Sequence, residues 1–126
     1  MPFTVEARAA EALVYVTHRG KLTLDEARAA QDQAAALMRA QGLLGLLLDL
    51  RAAEAAERDS TLYIFELAVS AAERLPPGTR IAAVVRPGRP GAPLDRFAED
   101  ATSNRGLRLA WFTEHEPALA WLTQSA

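Results

Sequence analysis

Residues 42–50 read GLLGLLLDL, a run of leucines with two glycines and one charge. A continuous apolar run between turn signals is typical of a strand buried on both faces, in the middle of a sheet. We expect this strand to close at Asp49 and Leu50, the charged residues 51–59 to form a loop, and a helix to begin at Ser60. Because open α/β sheets commonly place their sites outside the carboxyl ends of central strands, a site is expected there.

Length and composition limit the number of domains and the kinds of site and partner that this chain can have. The 126 residues are enough for one domain with a proper core, and residues 1–126 are interpreted as a single domain. The absence of cysteine excludes disulfides, thiolate metal sites and cysteine nucleophiles. A net charge of -2 argues against a nucleic-acid partner, which requires a concentrated basic face.

The location of the protein is predicted from what the sequence lacks. The first residues have neither the basic nor the apolar region of a signal peptide. No apolar run reaches the roughly eighteen residues that a membrane helix needs. We therefore expect a cytoplasmic protein without a membrane span.

Local patterns predict the element order ββαβαβαβα. Strands at 3–8 and 13–18 are expected to form an antiparallel hairpin, after which Gly20 turns the chain into the first helix. A capping box of Thr23 and Glu26 opens that helix, and Gly42 ends it. The later elements are expected as a strand at 43–48, a helix at 60–75, a strand at 79–86, a helix at 93–104, a strand at 107–112 and a short helix opened by a second capping box at 113–116.

Strands separated by helices imply parallel crossover connections. The predicted fold class is α/β, with a mixed, mostly parallel sheet of about five strands, an N-terminal antiparallel hairpin and four helices. Alanine-rich helices should allow close approach in the core.

The second helix is apolar over most of its girth, although a helix on a sheet needs only one apolar face. Part of it therefore needs cover, either a strip of Leu62, Phe65, Val69 and Ala72 or the strip on the opposite side of the helix. Three covers remain open: a neighbouring helix, a symmetric partner, or an apolar ligand between the helix and the sheet.

In this order of elements, with Asp49-Leu50 closing the central strand and Asp59-Ser60-Thr61 opening the next helix, the chain resembles a STAS domain, the fold of bacterial anti-sigma-factor antagonists. It is most similar to the SpoIIAA-like branch, described as STAS/SEC14-related, and the likeness covers almost the whole chain. Four segments of the C-terminal half carry this closer likeness: Asp95–Asp100, Asn104–Gly106, Trp111-Phe112 and Ala118–Leu122.

The resemblance implies a role for Ser60, which follows Asp59. In the antagonists, a serine after an aspartate at the start of this helix is phosphorylated, and this controls binding to a kinase-type anti-sigma factor. A phosphate at a helix N-terminus would meet free backbone donors and the positive end of the helix dipole. The alternative is that Asp59, Ser60 or Thr61 only caps the helix.

Catalytic and metal-binding patterns are missing from the sequence. It has no Gly-x-Ser-x-Gly elbow and no Walker or dinucleotide glycine motif, so we expect neither an enzyme nor a cofactor. His18 and His115 each have no other histidine or cysteine nearby in sequence, and both are interpreted as surface or partly satisfied histidines rather than metal ligands. Arg86 and Arg89 lie in a loop before a helix, where they either hold an anion or belong to a mobile connection.

These observations predict a non-enzymatic regulatory or protein-interaction module of STAS type, acting on a protein partner or as a homodimer. The alternative is a binder or carrier of a small apolar or lipid-like ligand between the second helix and the sheet, which a cavity lined by Leu62, Phe65 and Leu67 would favour. The interaction or ligand surface is expected to comprise Asp49, Asp59, Thr61, Leu62, Phe65, Val69, Arg86 and Arg89.

Overall fold

The computed structural model describes residues 3–55, 61–87 and 95–124 of the chain, without the side chains of residues 55 and 61–64. The predicted starts of the second helix at Ser60 and of the third at Pro93 lie outside these residues. The elements are β1 (Phe3–Arg8), β2 (Leu13–Leu22), α1 (Leu24–Gln41), β3 (Gly45–Ala55), α2 (Thr61–Arg74), β4 (Arg80–Val84), α3 (Asp95–Ser103), β5 (Arg108–Phe112) and α4 (His115–Thr123), with a 3-10 turn at Ala9–Glu11.

The five strands form one sheet in the order β1-β2-β3-β4-β5. β1 pairs antiparallel with β2, and every later pair is parallel. The predicted fold class and the order ββαβαβαβα are therefore confirmed. Because right-handed crossovers that advance in one direction put their helices on one side, α1, α2 and α3 share a face of the sheet and α4 is left to cover the other.

The core has two layers because successive strand residues point to opposite faces. Val14 and Leu46 pack against α1 and α2 in the larger layer. Tyr15 and Leu47, their neighbours in sequence, pack against α4 in the smaller one. Alanines such as Ala34, which is fully buried, let the helices approach the sheet closely.

The two central strands run further than the sequence indicates. β2 continues to Leu22 and β3 to Ala55, with the register Gly20↔Ala53 and a shift between Thr17 and Arg19. The predicted turn at Gly20 and the predicted loop from residue 51 onward are therefore wrong in this part. Each segment has weak strand propensity, but the two satisfy each other's backbone groups by pairing, which local sequence does not reveal.

The ends of α1 are those predicted. The Thr23 Oγ1 accepts a hydrogen bond from the backbone N–H of Glu26 at 3.1 Å, and Gly42 adopts a left-handed φ of 66°. The second predicted capping box is wrong: α4 begins at His115, and its N-cap Glu114 makes no side-chain capping bond. This helix begins one residue later than the box requires, so Thr113 is not its N-cap.

Neighbouring helices supply most of the cover that α2 needs. It packs against α1 on one side and α3 on the other. Ala68, Ser70 and Ala71 are buried, whereas Phe65 remains 40% exposed. The wide apolar girth of α2 thus follows from its central place in the helical layer.

Candidate functional site

The carboxyl ends of β3 and β4 lie side by side on one rim of the sheet. Asp49 is in register with Val84 at the end of β4. Arg86 follows β4, is exposed, and donates from Nη2 to the carbonyl oxygen of Ala53 at 3.4 Å. The rim that the sequence predicts therefore exists, although β3 continues past it.

Asp49 is held by Arg51 on this rim. The Nε and Nη2 of Arg51 donate to Oδ1 and Oδ2 of Asp49 at 3.0 and 2.9 Å, and the Arg51 backbone N–H also donates to Oδ1. These hydrogen bonds, chiefly those of the side chain, hold the pKa of the Asp49 carboxyl below its usual value of 3.8. The carboxylate is thus ionised and already paired, which suits recognition better than proton transfer.

Asp49 and the α2 residues do not share a face of the sheet. The alternation of β3 places Asp49 on the side of Leu47, where α4 packs and where the charge of His115 also acts on Asp49. Phe65 and Val69 lie on α2 at the opposite side. The structure therefore brings Asp49 and Arg86 to one rim but separates the Asp49 side chain from the α2 residues.

An exposed aromatic residue marks the outer side of α2. The guanidinium of Arg105 lies 4.7 Å from the centroid of the Phe65 ring. The Nη1 of Arg105 donates to the carbonyl oxygen of Ala101 at 2.9 Å, which fixes the guanidinium against α3. Val69 lies one helical turn beyond Phe65 and is partly exposed. We call Phe65, Val69 and Arg105 the α2 surface.

A cavity of about 130 Å³ lies between the sheet and the layer formed by α1, α2 and α3. Its walls are mostly aliphatic side chains and alanines from all three helices and from β2 to β5. Leu67 lines it as predicted, whereas Phe65 is exposed and the Leu62 side chain lies outside the described part of the chain. The space exists because small residues such as Ala30, Ala71 and Ala83 face one another across it.

His18 lines this cavity and is only 3% exposed. Its Nδ1 is buried and has no hydrogen-bond partner within the described ranges. Burial lowers the pKa of His18 below the ordinary 6.5, so the imidazole is neutral at pH 7. The expectation of a surface histidine is therefore wrong for His18. The sequence could have predicted this burial. His18 follows Val14 and Val16 at two-residue steps, and these two valines are buried on the same face of the strand.

Comparison with known proteins rests on structure. No family model matches the chain, and no curated protein matches it. The crystal structure of an anti-sigma factor antagonist from Mycobacterium paratuberculosis is similar, with a TM-score of 0.62 and 20% identity over 97% of this chain and 95% of that chain. The fold is that of an anti-sigma factor antagonist. The predicted STAS-like architecture is thereby confirmed.

The remaining predicted site residues are placed only in part. Thr61 is the first residue of α2, and its side chain is outside the described part, as are Asp59, Ser60 and Arg89 entirely. Among the residues that the structure describes, no three metal-ligating side chains come together. None of the helices in the described ranges combines the length and the apolar character that crossing a membrane requires.

Proposed function

We propose that the chain is a non-enzymatic regulatory module that binds a protein partner, as anti-sigma factor antagonists do. The observation that carries this proposal is the match of its fold, along 97% of the chain, to a protein named for that activity. A small regulator of this kind needs a docking surface rather than a reactive site. The paired Asp49 carboxylate is in keeping with this, because it is already engaged by Arg51.

The α2 surface is the part of the molecule best suited to dock a protein. Aromatic residues and arginine are enriched among the residues that dominate binding free energy at interfaces. Phe65 and Arg105 stack on each other, so both side chains are held in place before a partner arrives. Preorganisation of this kind lowers the entropy lost on binding.

The test is a titration of the purified chain with the anti-sigma factors of its host by isothermal titration calorimetry. Replacing Phe65→Ala should weaken the binding at least tenfold, in the range of an interface hot spot. Leu44→Ala is the matched control, since Leu44 is a 49% exposed apolar side chain before the opposite, amino end of β3. Equal affinity of wild type and Phe65→Ala would contradict docking through α2.

Ser60 is proposed as the regulatory phosphorylation site, on the strength of the resemblance. It directly precedes the first residue of α2, so a phosphate there would add charge beside the proposed docking surface. Ser60→Asp should weaken partner binding, while Ser60→Ala should retain it. Ala120→Asp, at an exposed position of α4 on the opposite face of the sheet, controls for added charge. Mass spectrometry of the protein from its host would detect the phosphate.

A second copy of the chain is the alternative partner for the α2 surface. Sedimentation equilibrium at micromolar concentration distinguishes the two partners. A dimer that Phe65→Ala dissociates would assign the α2 surface to self-association. A monomer that still binds an anti-sigma factor would assign it to the other protein.

The cavity favours a second function, the binding of a small apolar molecule between α2 and the sheet. It lies between the sheet and the helices, Leu67 is among its lining residues, and its walls are almost wholly apolar. Apolar cavities of this kind take up apolar molecules. Titration with toluene, followed by amide chemical shifts, tests this function: saturable shifts of residues around the cavity support it, and their absence contradicts it.

A further inference from the structure

The polar side chains that line the cavity differ in whether their hydrogen-bonding groups already have partners within the protein. Gln31 accepts a hydrogen bond at Oε1 from the Ser70 hydroxyl at 2.5 Å. Thr102 donates from Oγ1 to the carbonyl oxygen of Ala98 at 2.7 Å. The Gln31 Oε1 and the Thr102 hydroxyl are therefore already engaged within the protein, whereas Nδ1 of His18 has no partner in the part of the chain described. His18 is thus a lining residue with unused hydrogen-bonding capacity.

A buried nitrogen without a partner is unfavourable for the folded state, because it has lost its hydrogen bond to water. The Phe3 ring packs at 5.7 Å from the imidazole, between ring centroids, and offers no hydrogen-bonding group in the ring plane. No charged group contributes to the lowered pKa of His18, which burial alone causes. A neutral imidazole accepts a hydrogen bond at one nitrogen and donates one at the other.

These properties limit the ligand. A volume of about 130 Å³ is close to that of an engineered apolar cavity of about 150 Å³ that binds benzene. The ligand is therefore of single-ring size. The described walls hold no countercharge, so they favour an uncharged ligand, because burial of an unpaired charge is strongly unfavourable.

We propose that the cavity binds a small, uncharged, largely apolar molecule whose one hydroxyl or carbonyl group forms a hydrogen bond with the His18 imidazole. This inference rests on the ligand-binding function proposed above and adds the polar contact that would select the ligand. It is independent of the α2 surface, since His18 and Phe65 lie on different elements and Phe65 faces outward.

The test compares phenol with toluene, which are nearly equal in shape and differ in the hydroxyl. We expect phenol to shift the ring ¹⁵N resonances of His18 saturably and toluene to leave them almost unchanged. In His18→Phe, which keeps a ring of similar size, the preference for phenol over toluene should fall about threefold to tenfold, the worth of one hydrogen bond. Thr102→Val is the matched control, because it removes a lining hydroxyl that is already engaged, and its preference should stay unchanged.

The outcomes separate this inference from the function on which it rests. If toluene and phenol both bind but the His18 ring resonances and the preference do not change, the contact with His18 is refuted and the apolar cavity stands. If neither probe binds up to its solubility limit, both are refuted. The ring resonances are measured on the wild type, so the test does not depend on the folding of His18→Phe.

Discussion

Gly45 allows Leu13 to pack at the start of the sheet. The two residues are in register, and a Cβ at position 45 would overlap with Cδ2 of Leu13, a side chain that is 2% exposed. Leu13 cannot move away freely, because Leu47 and Leu122 belong to the same cluster. The glycine is therefore required by close packing rather than by its backbone angles.

We expect Gly45→Ala to lower the free energy of unfolding by about 1–3 kcal/mol, since overpacking a filled core has a cost of that size. Urea denaturation measures this loss. Adding Leu13→Val to Gly45→Ala should restore part of it, because the shorter side chain removes the overlap. Strictly additive losses in the double variant would contradict this explanation.

His18 should make stability depend on pH. The pKa of His18 in the folded state is below the ordinary 6.5 of the unfolded chain. At a pH between the folded and the unfolded pKa, the unfolded chain therefore binds more protons than the folded one. The free energy of unfolding therefore falls as the pH drops below 6.5, and His18 stops contributing to this fall below its folded pKa.

Denaturation at about pH 7.5 and about pH 5 measures the loss, and His18→Phe should remove the His18 share of it. If His18→Phe lost as much unfolding free energy between these two pH values as the wild type, the prediction would be contradicted.

At the scale of single elements, α1 depends on its N-cap. Only half of the predicted capping box forms, because Thr23 accepts from Glu26 while Oε2 of Glu26 is buried without a partner within the described ranges. Thr23→Ala should lower the free energy of unfolding by about 1 kcal/mol. Thr23→Ser keeps the accepting oxygen and should lose much less unfolding free energy. Thermal denaturation of both variants measures the two losses. Equal losses would mean that the methyl group of Thr23, and not its hydroxyl, stabilises the helix.

Sequence predicts elements well where the signal is local. α1 is bounded by Thr23 and Gly42, and both act as predicted. The continuation of β2 and β3 was not predictable, because residues 19–22 and 52–55 become strands by pairing with each other across a distance in sequence. The same limit applies to the site: the rim follows from strand order, whereas a cavity depends on three helices meeting over the sheet.

At the scale of the whole molecule, filling the cavity should stabilise the folded state. Ala68→Leu would extend apolar atoms into the space beneath α2, and we expect the free energy of unfolding to rise by about 1 kcal/mol. Chemical denaturation measures this gain. The same variant should lose phenol binding, since the added side chain occupies the ligand volume.

Ala36→Leu is the matched control for this prediction. Ala36 lies on the exposed side of α1, so the same change there adds no atoms to the cavity and should alter stability by less than about 0.5 kcal/mol. A clear destabilisation by Ala68→Leu, with Ala36→Leu unaffected, would mean that the space under α2 does not accept a larger side chain.

The order of the strands in the sheet is their order along the chain. During synthesis on the ribosome, each newly emerged strand therefore finds the preceding one as an available edge, and no strand has to insert between two that are already joined. This topology requires no long-range rearrangement of strands. Such rearrangements slow folding and expose aggregation-prone intermediates. The protein is in this sense suited to assemble vectorially, from its first hairpin to its last helix.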